Sequence, residues 1–222
     1  YLFNNPNLIL SNFFVLLAII ILVSLQTLKE SKEKLFDASL WIFMAALFQF
    51  WSILYILLVF ISVIFHVSRD YRNWVIPFIA LFAVSILFVA CSLIFDINSI
   101  AFLKESSKID LNLDYFTNNY QNAAFSIYLT VALFFVVSTF STLSSRPLVL
   151  LSSYKKIIAS FFIGILVFVL SANKSNETLV FTFAPLAIMA TTHIEISQPK
   201  LKEEIVIFVL LACSLFTFFS QL

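Results

Sequence analysis

Charge is scarce in this chain: 11% of its 222 residues are Asp, Glu, Lys or Arg, while 62% are hydrophobic. A soluble domain carries roughly a quarter charged residues, and no single soluble core could bury this much Leu, Ile, Val and Phe. A water-soluble fold is excluded, and lipid as the solvent removes the conflict. The formal net charge of +1 gives no field with which to recruit nucleic acid. Cysteine is nearly absent too. Cys91 and Cys213 sit in apolar runs without metal-ligand spacing and read as small hydrophobes. A single glycine stands against 28 Phe, so there is no GxxxG motif and close helix contacts must use Ala and Ser. The sequence holds no phosphate-cradling glycine loop, no zincin motif, and no Ser or Cys nucleophile with a base in sequence reach. A basic signal-peptide n-region is missing before Leu8. Asn4, Asn5, Pro6 and Asn7 read as a loop entering a helix, and the expectation is a fragment of a longer protein that lacks upstream helices.

What is present is a series of hydrophobic runs. A helix needs about 20 apolar residues to cross the hydrocarbon layer. The runs are Leu8–Leu28, Phe36–Phe65, Trp74–Phe95, Ala123–Leu143, Ile157–Ser171, Leu179–Thr192 and Ile205–Leu222. The expected fold is an all-α polytopic transmembrane helix bundle, one domain over 1–222, with an extramembrane loop at 96–122. Trp41, Trp74, Tyr71, Tyr115 and Tyr154 fall near expected helix ends, where aromatic belts form.

The second run is long for one crossing and short for two, and charge arbitrates. A single crossing puts Lys29, Lys32, Lys34, Lys104, Lys108 and Lys174 on one side and Arg69, Arg72, Arg146, Lys155, Lys156, Lys200 and Lys202 on the other. That is no asymmetry. A hairpin turning near Gln49, Phe50, Trp51 and Ser52 instead leaves only Lys104, Lys108 and Lys174 opposite all the others, as the positive-inside rule requires. The seven runs are therefore read as about eight crossings. Residues 37–49 then form a helix of only about 20 Å, which ends at mid-depth and implies a sheltered notch open to the non-cytoplasmic side.

Asn5-Pro6-Asn7 before a long helix, the basic segment Lys29 to Lys34, the apolar hairpin and Arg69-Asp70-Tyr71-Arg72 together resemble membrane glycosyltransferases that use polyprenyl-linked sugars. The Gly-Leu-Ala and basic residue of that family's hairpin tip are replaced by Ala45-Ala46-Leu47-Phe48-Gln49. The acidic catalytic loop would lie upstream of Tyr1, so no catalytic residue carries over. Phe36 to Trp41, His66 to Trp74, Asp114 to Asn122 and Phe183 to Ala187 look like an uncharacterised polytopic inner-membrane family of Bacteroidota-type bacteria. That resemblance implies a place in the bacterial inner membrane and a role in envelope biogenesis.

Candidate contact residues cluster on the outer face. Gln49 and Ser52 are the polar groups of the hairpin tip. In extended chain Asp110, Asn112 and Asp114 share one face. They open like a calcium loop, but Tyr115 and Gln121 stand where that loop needs Gly and Glu. The favoured reading is a stretch at the membrane surface, with a looser divalent or sugar-phosphate site as the other. Asn118, Asn119, Gln121 and Asn122 with Tyr115 and Tyr120 suit sugar hydroxyls and apolar sugar faces, though an Asn there also caps a helix starting near Ala123. His66 and His193 sit at expected cytoplasmic helix ends and read as packing residues, and the basic rim reads as contact with anionic lipid headgroups. Between the interfaces there is essentially no ionisable residue, which speaks against ion-coupled transport. No catalytic residue, metal or cofactor is expected. The partners expected are membrane lipids and other membrane proteins, with a lipid-linked sugar as the ligand these groups suit. The favoured function is a non-catalytic subunit of an envelope complex. The alternative is a degenerate or incomplete glycosyltransferase-like enzyme.

Overall fold

The structure is a computed structural model that describes residues 5–25, 31–66, 71–96, 98–109, 119–171, 176–196 and 200–221. Its elements are helices: α1 Pro6–Val23, α2 Ser31–Phe48, α3 Ile56–His66, α4 Arg72–Ile94, α5 Ser99–Ser106, α6 Asn119–Thr142, α7 Leu148–Leu170, α8 Val180–Ile196 and α9 Lys200–Gln221. The chain divides into two compact units, one of Tyr1–Leu111 with Leu148–Thr182 and one of Asn112–Pro147 with Phe183–Leu222.

The all-α membrane fold follows from the composition, but the count of eight crossings is not supported. Among the described residues, five helical segments are long and apolar enough to cross a membrane: Pro6–Val23, Arg72–Ile94, Asn122–Thr142, Leu150–Leu170 and Asn176–Glu195. The remaining apolar helices fall short for physical reasons. Lys32, Glu33, Lys34 and Asp37 occupy the first two turns of α2, and Phe50–Phe65 and Val206–Leu215 are shorter apolar stretches.

In the first unit the run expected to turn near Gln49 is broken there. Gln49 is extended, with φ −134° and ψ 103°, and a 3₁₀ segment Phe50–Tyr55 leads into α3. No Gly or Pro marks the break. Instead Ser52 covers the carbonyl that the break exposes: its backbone N–H and its Oγ both donate to the Gln49 carbonyl oxygen, at 3.0 and 2.8 Å. A serine hydroxyl that competes for local backbone groups can end a helix in this way.

Contacts on either side of the break fix the directions. Ser11 Oγ of α1 donates to the Ala45 carbonyl at 3.0 Å, and Gln49 reaches Ser171 beyond the end of α7. At the opposite end, Lys155 of α7 lies over the Phe65 ring of α3, and Ser153 bonds the Val23 carbonyl of α1. The chain thus climbs along α2 to Gln49 and returns through Phe50–His66. Phe60 stacks on Trp74, with centroids 5.8 Å apart, so α4 starts beside the lower part of α3.

The expected short helix ending at mid-depth is corrected. Lys32 and Lys34 are good helix formers whose stems can lie along apolar surface, so α2 starts at Ser31 and its 18 residues span about 27 Å. The break then lies level with the ends of α1 and α7. The core beneath it comes from Val15, Ala18 and Leu22 of α1, Leu35, Ala38, Ile42 and Ala45 of α2, Leu58, Val59 and Val63 of α3, and Ile163 and Val167 of α7. Ser39, Ser62 and Ser160 are also fully buried and bond carbonyls of their own helices. That is how hydroxyls enter an apolar interface at little cost.

Asn12 Oδ1 of α1 is buried without a hydrogen-bond partner among the described residues. An unsatisfied buried acceptor costs about 1–3 kcal/mol. Asn12→Leu is expected to raise the unfolding midpoint of the purified chain in detergent. A lower midpoint would show that the amide has a partner that compensates its burial.

The 96–122 segment is not one loop. Asp96, at φ 51°, turns the chain after α4, and Asn98 caps α5 by accepting from the Ala101 N–H at 3.2 Å. Helix α6 already starts at Asn119, so Asn119 and Gln121 belong to its first turn. The basic loop expected at 146–156 is likewise helical from Leu148, because Leu, Ser, Tyr and Lys there contain no helix breaker.

In the second unit, Tyr128 packs on Phe183 and Ser138 meets His193, so α6 and α8 run parallel. Helix α9 packs on α6.

Candidate functional site

The break in the second run builds a site at one end of the first unit. Extending the backbone at Gln49 interrupts the helix ladder and swings four successive side chains, Phe48 to Trp51, around the end of the helix pair. Gln49 Nε2 donates to Ser171 Oγ at 3.1 Å, and Ser171 is itself buried and tied to Val167 by its backbone. The Gln49 amide is thereby fixed and keeps Oε1 as an acceptor. Ser52, fully buried, supports the turn from beneath. Trp51 stands edge-on to Phe50, with centroids 5.6 Å apart, and its Nε1 donates to the Lys108 carbonyl at 3.4 Å. This bond joins the tip to the segment that follows α5. The Phe88–Phe102 ring contact lays α5 against the end of α4.

Between tip and α5 lies a partly open cavity of about 330 Å³, at the lower end of the range for small-molecule sites. Four rings line it: Phe48, Phe50 and Trp51 from the tip and Phe102 from α5. The polar lining is Gln49, Ser106 and Ser171, and among the described residues the one charged group is Glu105. Rings, an amide, hydroxyls and a carboxylate can hold a polar group and cover an apolar one.

Of the residues singled out in the sequence, Gln49 lines the cavity and Ser52 holds its floor. Asp110, Asn112, Asp114 and Asn118 lie outside the described residues, as do Tyr115 and the calcium-like stretch. Asn119 and Gln121 are placed by backbone only, in the first turn of α6. Glu105 and Phe102 were not singled out, because helical spacing within 96–122 was needed to see that they face the tip. Among the described residues no group of three or more His, Cys, Asp or Glu side chains could hold a metal.

Two further groups correct the sequence reading. Lys156, expected on a lipid-facing basic rim, is fully buried and donates through Nζ to the Leu22 carbonyl. Ser153, one turn earlier, donates to the Val23 carbonyl at 3.3 Å. Together they add donors at the last carbonyls of α1, where the Leu22 carbonyl also accepts from the Leu25 N–H at 3.3 Å. Their i, i+3 spacing on one helix face was a legible signal. In the second unit, Ser138 hydrogen-bonds His193 Nδ1, although no serine had a base in sequence reach. The imidazole is flanked edge-on by Phe134 and Phe135, at 5.3 and 5.9 Å. Arg146 donates to the adjacent Thr192 carbonyl at 3.5 Å. No carboxylate among the described residues bonds the ring, so the pair lacks the orienting group of a catalytic triad.

Comparison with protein families, curated proteins and solved structures returns no match for this chain.

Proposed function

We propose that this chain is a multi-pass protein of the bacterial inner membrane, a non-catalytic component of an envelope complex, and that the cavity at the tip of the helix pair captures the polar headgroup of a lipid-borne ligand. The cavity carries this reading: it is built from a fixed amide, four rings and one carboxylate, at the end of a bundle of apolar helices. These groups fit binding: among the described residues Glu105 is the one acid–base group in the lining. The resemblance of 36–41, 66–74, 114–122 and 183–187 to an inner-membrane family supports the location.

The proposal includes two crossings for the second run, and eight in all. Helix α2 at about 27 Å, and Phe50–His66 at about 28 Å once the steeper 3₁₀ rise is counted, each approach the roughly 30 Å hydrocarbon layer. Lys32, Arg72 and Lys155 would face the cytoplasm, and Lys104 and Lys108 the opposite side. Single cysteines at Lys32, Arg72 and Lys104 test this in intact cells with an impermeant thiol reagent. The expected result is labelling at 104 alone. Labelling at either 32 or 72 but not both would mean a single crossing and remove the hairpin. Gentle extraction tests the assignment to a complex: the full chain is expected to co-purify with a protein partner and retained lipid. A bare, lone monomer would overturn it.

A further inference from the structure

The lining of the tip cavity is asymmetric in charge. Among the described residues its one ionisable group is Glu105, and its other walls are the Phe48, Phe50, Trp51 and Phe102 rings with the Gln49 amide and the Ser106 and Ser171 hydroxyls. Lys104 and Lys108 belong to the same segment but do not line the cavity. Ring faces carry negative electrostatic potential, and several of them around one space attract a cation. A carboxylate in the same space adds an opposite charge. A neutral sugar would use the rings and the amide but gain little from the carboxylate. An anionic group would meet only repulsion from Glu105.

We infer that the group held in this cavity is an ammonium, as carried by an ethanolamine-type lipid headgroup or by a free amine. This rests on the binding function proposed above and deepens it by naming the ligand class. Trp51, Phe102 and the other rings surround the ammonium, Glu105 neutralises it, and Gln49 Oε1 accepts from its N–H. Lys104 and Lys108, outside the cavity, leave room beside it for the phosphate of a zwitterionic headgroup.

Trp51 supplies the reporter. The chain has three tryptophans, and replacing Trp41 and Trp74 with Phe preserves an aromatic ring against Phe14 and Phe60, on which the two stack. The full chain in detergent would be titrated with dihexanoyl phosphatidylethanolamine, dihexanoyl phosphatidylglycerol, free ethanolamine and glucose, following Trp51 emission. The expected result is a saturable change with the ethanolamine lipid and none with the glycerol lipid or glucose at equal concentration. Glu105→Gln, an isosteric and exposed change, should weaken the ethanolamine response about tenfold. A response to free ethanolamine as well would identify the amine alone as sufficient, and its absence would identify the lipid as the source. A response to the glycerol lipid or glucose that Glu105→Gln leaves unchanged would overturn the ammonium assignment but keep the binding function. No response to any probe, with the protein still folded by thermal unfolding, would overturn both.

Discussion

Replacing Gly164 with alanine is expected to destabilise the first unit, although alanine is the better helix former. Gly164 is the sequence's only glycine and lies inside α7. A Cβ there would sit 2.7 Å from Thr182 Cγ2, 3.0 Å from the Tyr55 hydroxyl oxygen and 3.3 Å from the Phe181 carbonyl carbon. None of these neighbours can give way easily. Thr182 is fully buried, with its hydroxyl bonded to the Leu179 carbonyl at 2.6 Å. Tyr55, also fully buried, points its hydroxyl at the carbonyls of Phe181 and Ser160, at 3.1 and 3.3 Å. The third neighbour is backbone.

Overpacking of this kind costs about 1–3 kcal/mol, and the gain in helix propensity from Gly to Ala offsets about 1 kcal/mol of it. The net expectation for Gly164→Ala is a lower unfolding midpoint in detergent, and for Gly164→Val a larger drop. A midpoint at or above the parent's would mean that α7 and the first turn of α8 are not in such close contact.

Reversing the charge at Lys156 should have the larger effect. The ammonium is buried against the carbonyl end of α1, where the helix dipole is negative and Lys156 and Ser153 donate to the Leu22 and Val23 carbonyls. Glutamate would set an acceptor against acceptors, with its charge unpaired in an apolar interior. Leaving a buried charge without its partner costs about 3–5 kcal/mol, so Lys156→Glu is expected to abolish accumulation of folded chain, read by size-exclusion chromatography of the detergent extract. Lys156→Met keeps the stem packing and removes the charge, and should accumulate with a modestly lower midpoint. Normal accumulation of the Glu variant would show that the residue faces solvent or lipid headgroups after all.

The two predictions concern residues that the sequence read differently. The lone glycine suggested that close contacts pass to Ala and Ser. Ala38, Ala45 and Ser11 are indeed buried where helices meet, yet Gly164 also serves a close contact, with no room for a Cβ. Lys156 was grouped with Lys155 because the two are adjacent, but adjacent helical residues point about 100° apart. One reaches outward over Phe65 and the other inward to α1. Glu105 stayed hidden for a similar reason, since only the cap at Asn98 sets the helix that turns it toward Trp51.

By itself the sequence determined the solvent and the helical class, because both follow from how much apolar surface must avoid water. It also placed a turn near Gln49 to Ser52, where the helix does break. The tertiary structure decided where α2 starts, which lysine is buried, and that rings and a carboxylate line a cavity beside Gln49. Those outcomes depend on helix start points and rotations. A start point moves with single caps such as Asn98, and each residue of offset rotates the exposed face by about 100°, a sensitivity that composition and spacing do not encode.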